Sequence, residues 1–187
     1  VAGLQAIATA KRLGSVVFAF DVRTSTKEQV ESLGAKFVEV KTDDSGETAD
    51  GYAKEMSKSY QKKQNAALAE TIKKMDIVIT TALIPGKTAP RILSKKMIES
   101  MKVGSIIVDL ASEFGGNCEL TKHGETVNFE SKKIIGPTNL ASTVSQDSSR
   151  LFSKNVVNFL MNSCESGKFK SFNWEDEVVK DTCVINN

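Results

Sequence analysis

The chain has 187 residues, of which 40% are hydrophobic and 26% charged, and this balance is typical of a soluble globular protein and excludes a disordered chain. The net charge is +2 with lysines interspersed among acidic residues, so the charge indicates neither a nucleic acid nor an anionic membrane as partner. No apolar stretch approaches the ~20 residues of a membrane-spanning helix. Three cysteines and a single histidine give no zinc-binding pattern, and we expect free thiols in a reducing compartment.

The first forty residues predict helices and strands in alternation. Apolar residues on one face indicate a helix over residues 3–13, and the run SVVFAF indicates a buried strand over residues 15–20. Ser25 to Glu28 have the S-x-x-E pattern of a capping box, which opens a helix that Gly34 ends. A further strand is predicted over residues 35–40. Alternation with short connections favours an α/β fold with a parallel, doubly wound sheet.

A long polar stretch interrupts this alternation. Residues 41–51 are polar, contain glycine and have no apolar periodicity, which predicts an exposed loop that continues into residues 52–56. Long loops of this kind form lids or binding loops, although a solvated insertion is the more common case. We expect residues 41–57 to form a mobile lid.

The remaining sequence repeats the helix and strand pattern. A buried central strand is predicted over residues 76–81, and Pro85-Gly86 predict a turn after it. Other predicted elements are helices at 59–74, from Ser94 to Gly104, and at 142–164, and strands at 105–110, 126–127 and 133–136. Asp109, which ends one of these strands, is expected either to contact a cofactor or to cap the loop that follows.

The loop after residue 80 and the start of the chain both indicate a dinucleotide. In open α/β sheets the ligand binds beyond the carboxyl ends of the strands, which is where Thr80 to Gly86 are predicted to lie. Ala2-Gly3 opens a helix, and Asp21 follows the next strand, as in the second half of a dinucleotide-binding fingerprint. A carboxylate at this position accepts from the ribose 2′-hydroxyl and repels a 2′-phosphate, which favours NAD over NADP, although Arg23 nearby leaves NADP as an alternative.

Six segments of the chain resemble the NAD(H)-binding domain of the proton-translocating NAD(P) transhydrogenases, in the alanine dehydrogenase/transhydrogenase family. They are residues 1–3, 20–23, 27–32, 51–57, 80–87 and 115–119. Alanine dehydrogenase has a similar Leu-Ile-Pro-Gly loop, but the segments 51–57 and 115–119 favour the transhydrogenase. The segment 135–142 departs from the family pattern.

The resemblance implies a set of cofactor-binding residues and no catalytic or metal-binding residue in this chain. Their implied places are the phosphate-binding turn for Val1 and Gly3, the adenosine ribose for Asp21, Val22 and Arg23, a mobile loop for Gly51, Tyr52 and Ala53, and the dinucleotide itself for Thr81, Ala82 and Leu83. The implied cofactor is NAD.

The resemblance also implies a function and partners. The enzyme would transfer hydride between NAD(H) and NADP(H) and couple it to proton movement. Its partners would be the NADP(H)-binding domain and the membrane-spanning domain of the same enzyme, and a second copy in a homodimer, with no nucleic acid. The domain would be soluble and peripheral to a bacterial or mitochondrial inner membrane. The alternatives are an alanine dehydrogenase-like NAD-dependent oxidoreductase and a non-catalytic NAD-binding module.

These observations predict two regions of the chain. Residues 1–140 are expected to form a Rossmann-type, doubly wound parallel sheet that lacks its first strand, and residues 141–187 a long crossover helix towards a second, mostly missing domain. The first strand and the first two glycines of the fingerprint would lie upstream. We therefore expect the chain by itself to bind NAD poorly and to catalyse no hydride transfer.

Overall fold

A computed structural model describes residues 1–23, 25–38 and 58–185. The chain divides into two compact units, Val1–Thr138 and Asn139–Asn187. The first unit is a Rossmann-like α/β structure with parallel strands, as the alternation of helix and strand patterns predicts.

The first four elements form a small parallel sheet with its helices. They are α1 (Ala2–Arg12), β1 (Phe18–Ala19), α2 (Thr26–Ser32) and β2 (Lys36–Phe37), and β1 pairs with β2 in parallel. Both helices end at a glycine with positive φ, Gly14 and Gly34. The predicted capping box is wrong, because Ser25 has helical backbone angles and makes no side-chain cap hydrogen bond. A capping side chain requires an extended backbone at that position.

A second sheet of four strands contains most of the core. Its elements are α3 (Lys58–Ile72), β3 (Ile77–Thr80), α4 (Lys95–Glu99), β4 (Ile106–Asp109), β5 (Thr126–Phe129) and β6 (Lys132–Ile135). The strand order is β3-β4-β6-β5. The pairs β3–β4 and β4–β6 are parallel, but β5 runs antiparallel to β6, so the sheet is mixed at this edge.

The strand β3 differs from its predicted role as a buried central strand. It pairs only with β4 among the described strands, and its alternate residues Ile77 and Ile79 are 62% and 44% exposed. Val78 packs against the core and Thr80 is buried. The β-branched run correctly predicted a strand, but burial on both faces requires a covering layer, and the sequence of a single strand does not show whether one is present.

Two clusters of buried side chains hold the first unit together. The larger cluster lies between the four-stranded sheet and its helices, and comprises Leu68, Ile72, Leu93, Ile98, Met101, Ile107, Cys118 and Ile134. The smaller cluster joins α1, α2 and the segment before β2 through Ile7, Val30 and Ala35. Phe20, just after β1, packs against the larger cluster. The carboxyl end of β1 is therefore tied to the four-stranded sheet by apolar contact.

The second unit consists of helices and a short hairpin. Its elements are α5 (Leu140–Thr143), α6 (Ser145–Met161), β7 (Cys164–Glu165), β8 (Lys168–Phe169) and α7 (Glu177–Thr182). The long helix predicted over residues 142–164 is confirmed as α6, but it begins later than predicted, because the backbone leaves helical geometry at Val144, with φ −128° and ψ 49°. Among the described residues, no helix is long and apolar enough to cross a membrane.

Candidate functional site

The first turn of α1 lies against the end of β3. A Cβ atom built on Gly3 would be 3.2 Å from the Thr81 hydroxyl oxygen, which is closer than most real Cβ contacts. The absence of a side chain at Gly3 therefore allows this close approach. The first turn of an α-helix has backbone N–H groups without intrahelical acceptors, and such a helix end binds anionic groups such as a pyrophosphate.

Asp21 and Arg23 form a compact pair just after β1. The Arg23 backbone N–H and Nε donate to Asp21 Oδ1 at 2.9 and 3.1 Å, and the guanidinium donates to Asp21 Oδ2 at 2.9 Å. Both side chains are partly exposed, at 29% for Asp21 and 42% for Arg23. A carboxylate offers about four acceptor positions, so Asp21 Oδ2 can accept a further hydrogen bond from a ligand hydroxyl. The pair thus combines a carboxylate that can accept from a hydroxyl group, such as that of a ribose, with a guanidinium cation.

The loop that follows β3 is held by a buried side chain. Asn117 is fully buried, and its Oδ1 accepts from the Ala82 N–H at 2.9 Å. Its Nδ2 donates to the carbonyl oxygens of Ala82 and Pro90, both at 2.9 Å. Thr81 and Ala82 are half-buried, whereas Leu83 is exposed. The loop therefore has a fixed base and a solvent-facing apolar residue.

Asp109 lies beneath this loop and organises the segment that carries Asn117. Its carboxylate is fully buried and accepts four hydrogen bonds. The donors are the hydroxyls of Thr80 and Thr121, at 2.9 and 2.6 Å, and the backbone N–H groups of Ala111 and Cys118, at 3.1 and 3.0 Å. Of the two roles expected for Asp109, the capping role is confirmed. A fully buried carboxylate is not available to a cofactor.

The structure brings some of the predicted site residues together. Gly3 lies against Thr81, Asp21 pairs with Arg23, and Ala82 and Leu83 continue from Thr81. Val1 is fully exposed and precedes α1, and Val22 is half-buried between Asp21 and Arg23. Gly51, Tyr52 and Ala53 and the whole predicted lid lie outside the described residues.

Asn117 is the residue that sequence reasoning did not identify. It occurs in the segment 115–119 that carries the family resemblance, but no pattern marked it as a contact of the strand-exit loop. The only signal was an amide side chain directly after Gly115-Gly116, both of which have positive φ. Glycines of this kind turn the backbone sharply, so a polar residue after them can be directed into the protein.

The cysteines have no role in this site. All three thiols are free, and Cys118 is buried in the larger cluster. Burial raises the pKa of the Cys118 thiol, which keeps it protonated and unreactive. Within the described residues, no group of three or more histidine, cysteine, aspartate or glutamate side chains is placed to hold a metal ion.

Comparison with known proteins identifies the family. The model of the family described as alanine dehydrogenase/PNT, C-terminal domain, matches residues 1–187. An NAD(P) transhydrogenase subunit alpha protein of Rhodospirillum rubrum is 54% identical over 190 residues, which cover 100% of this chain and 50% of that protein. The chain therefore spans about half the length of this relative.

A solved structure and a more distant relative indicate the same family. A crystal structure of a transhydrogenase from Sinorhizobium meliloti superposes with a TM-score of 0.76 and 48% identity, covering 96% of this chain and 46% of that one. Alanine dehydrogenase 1 of Staphylococcus aureus is 33% identical over 105 residues, which cover 54% of this chain and 28% of that protein. The chain belongs to the alanine dehydrogenase/PNT C-terminal domain family.

Proposed function

We propose that this chain is the NAD(H)-binding portion of a proton-translocating NAD(P) transhydrogenase, an enzyme that transfers hydride between NAD(H) and NADP(H). Residues 1–140 carry the NAD(H) site, and residues 141–187 connect it to the other domain. The partners are the NADP(H)-binding and membrane-spanning domains of the same enzyme and a second copy of the chain. The domain is peripheral to the membrane.

The observation that carries this proposal is the extent of the likeness to transhydrogenase. The relative from Rhodospirillum rubrum matches along the entire chain, whereas alanine dehydrogenase 1 matches 54% of it. Alanine dehydrogenase activity is accordingly the second candidate, supported by the shared family model.

The geometry supports a dinucleotide as the ligand. The first turn of α1 offers free N–H groups to a pyrophosphate, and Gly3 lets this turn approach Thr81. Asp21 Oδ2 offers an acceptor to the adenosine ribose. Ala82 and Leu83 contact the dinucleotide from the end of β3. The nicotinamide supplies the hydride chemistry when the cofactor is bound, and the described residues bind and orient the dinucleotide.

The pair of Asp21 and Arg23 makes a specific prediction about cofactor choice. In the full-length protein, Asp21→Ala should weaken NAD binding by about 1–3 kcal/mol, the range for a lost hydrogen bond to a charged group. The same change removes the carboxylate beside Arg23, and a guanidinium that this carboxylate no longer neutralises attracts a 2′-phosphate. NADP affinity should therefore rise while NAD affinity falls.

Calorimetric titration of NAD and NADP measures both effects. The matched control is Asp181→Ala, which removes an exposed carboxylate in α7 and should leave both affinities unchanged. Equal affinity of the unmodified protein for NAD and NADP would contradict the proposed cofactor preference.

A hydride-transfer assay separates the two candidate activities. The full-length protein, together with an NADP(H)-binding component, should reduce NADP⁺ at the expense of NADH. Oxidation of L-alanine with NAD⁺ in the absence of that component would instead support an alanine dehydrogenase.

A further inference from the structure

The β3–β4 ladder ends just before the proposed cofactor loop. Thr80 pairs with Asp109 in register, and the Leu110 N–H donates to the Thr80 carbonyl oxygen at 2.9 Å, the last main-chain bond of the pair. Beyond this bond the segments that follow β3 and β4 separate, because the backbone at Ala111 turns into a short 3-10 helix over Ser112–Phe114. Without another partner, the backbone polar groups of Ala82 would depend on water.

Asn117 provides that partner. Its side-chain amide accepts from the Ala82 N–H and donates to the Ala82 carbonyl, both at 2.9 Å, which is the paired pattern that a residue of an antiparallel strand would form. The second Nδ2 hydrogen reaches the carbonyl of Pro90 at 2.9 Å, where the loop returns to the core. We call these three bonds the Asn117 clamp.

Asn117 is itself held rigidly. Its backbone carbonyl oxygen accepts from the backbone N–H groups of Ile92 and Leu93, at 2.8 and 3.0 Å. The next residue, Cys118, donates its backbone N–H to the buried carboxylate of Asp109 at 3.0 Å. The side chain has no exposed surface, so water does not compete for its bonds. The clamp therefore holds the Ala82 backbone in a fixed position relative to the core.

We propose that Asn117 is a positioning residue for NAD: the clamp fixes the loop after β3 before the cofactor binds, so that Thr81, Ala82 and Leu83 meet the dinucleotide without having to be ordered. This inference rests on the proposed function. A loop that is already ordered avoids part of the entropic cost of binding.

The chain offers a closely matched pair of substitutions to test this. Asn117→Asp removes the donor and directs a carboxylate oxygen at the carbonyls of Ala82 and Pro90, so the clamp is broken by repulsion. Asn128→Asp makes the same chemical change at an exposed position on β5, at the far edge of the sheet from β3 in strand order. Asn117→Ser removes the clamp without adding charge and serves if the aspartate variant does not fold.

A second control separates positioning from loss of stability. Ile107→Val removes one methylene from the fully buried centre of β4, where Ile107 pairs in register with Val78 rather than with the loop, and it should destabilise the domain. It should lower the melting temperature of the ligand-free protein and leave NAD affinity unchanged.

The measurements are calorimetric NAD affinity and hydrogen exchange of the Ala82 amide, both in the full-length protein. The Ala82 amide should be protected without NAD, and in both Asn117 variants it should exchange about tenfold faster or more, with NAD binding weakened by about tenfold or more, as expected for lost buried hydrogen bonds. Asn128→Asp should stay within about twofold of the unmodified protein in both measurements.

The outcomes are distinct. Faster Ala82 exchange with unchanged NAD affinity overturns the positioning role but not the proposed function. If the Ala82 amide is protected from exchange only after NAD is added, the claim that the clamp forms before NAD binds is overturned. Equal loss of NAD affinity in Ile107→Val also overturns the inference, since general destabilisation would then explain the effect. If the unmodified protein does not bind NAD, the proposed function fails and the inference fails with it.

Discussion

Replacing Asp109 by asparagine tests the contribution of the buried carboxylate beneath the loop that follows β3. Each of its oxygens accepts one hydroxyl and one backbone N–H: Oδ1 accepts from Thr80 and Ala111, and Oδ2 from Thr121 and Cys118. An asparagine has one acceptor oxygen and one NH₂ group. Whichever way the amide is oriented, the NH₂ group faces a backbone N–H that cannot turn away.

The expected cost follows from this arrangement. The threonine hydroxyl that faces the new NH₂ group can rotate and accept from it, so that contact is largely restored. The backbone N–H of Ala111 or Cys118 has no such freedom and is left unsatisfied in the interior. A buried donor without a partner costs about 1–3 kcal/mol, and we expect Asp109→Asn to lower the stability of the domain by this amount.

Hydrogen exchange of the β4 amides is the suitable assay, because it reports the free energy of opening of this sheet within a larger protein. The control is Asp147→Asn on α6, an exposed carboxylate whose pair with Arg150 spans 3.1 Å. A surface pair of this kind contributes less than about 1 kcal/mol. If Asp109→Asn left the opening free energy of β4 unchanged, the four hydrogen bonds of Asp109 would not stabilise the domain.

Two further predictions concern the same core. Gly136→Ala should destabilise the domain by about 1–3 kcal/mol, the usual cost of overpacking, because its Cβ would overlap the backbone carbonyl oxygen of Lys122; an unchanged melting temperature would show that this backbone yields easily. Cys118 should resist alkylation by iodoacetamide at about pH 8 until the protein is unfolded, because burial raises the pKa of its thiol; peptide mass spectrometry checks this, and alkylation of Cys118 in the native protein would contradict it.

Much of the fold follows from local sequence patterns. The β-branched runs before Thr81 and Leu110 predicted β3 and β4, and Ser94 predicted the start of α4, where its hydroxyl accepts from the Met97 N–H at 3.3 Å. These features depend on residues close in sequence, such as a side chain that caps its own helix. Local patterns also identified the exit of β3 as a candidate ligand-binding loop.

The features that sequence reasoning missed depend on backbone conformations that the residue types do not predict. The β5–β6 hairpin turns through Glu130 and Ser131, both with positive φ, although the usual signal for such a turn is asparagine or glycine. The break between α5 and α6 falls at Val144, which continues the apolar stripe of the predicted helix. A periodic stripe shows which residues share a face, but it does not show whether the backbone remains helical between them.

The candidate site shows the same division between local and distant determinants. Gly3 and Asp21 are recognisable because the roles predicted for them are direct ligand contacts, through close backbone approach and through an acceptor for a ribose hydroxyl. Asn117 is not recognisable in this way, because its partner Ala82 lies 35 residues away. The pairing exists only because β4 and the glycine-rich segment after it return to the end of β3. Since water cannot reach the buried amide to replace its bonds to Ala82 and Pro90, substitutions at Asn117 should affect the loop more than substitutions at the exposed Leu83, even though we propose that Leu83 contacts the cofactor.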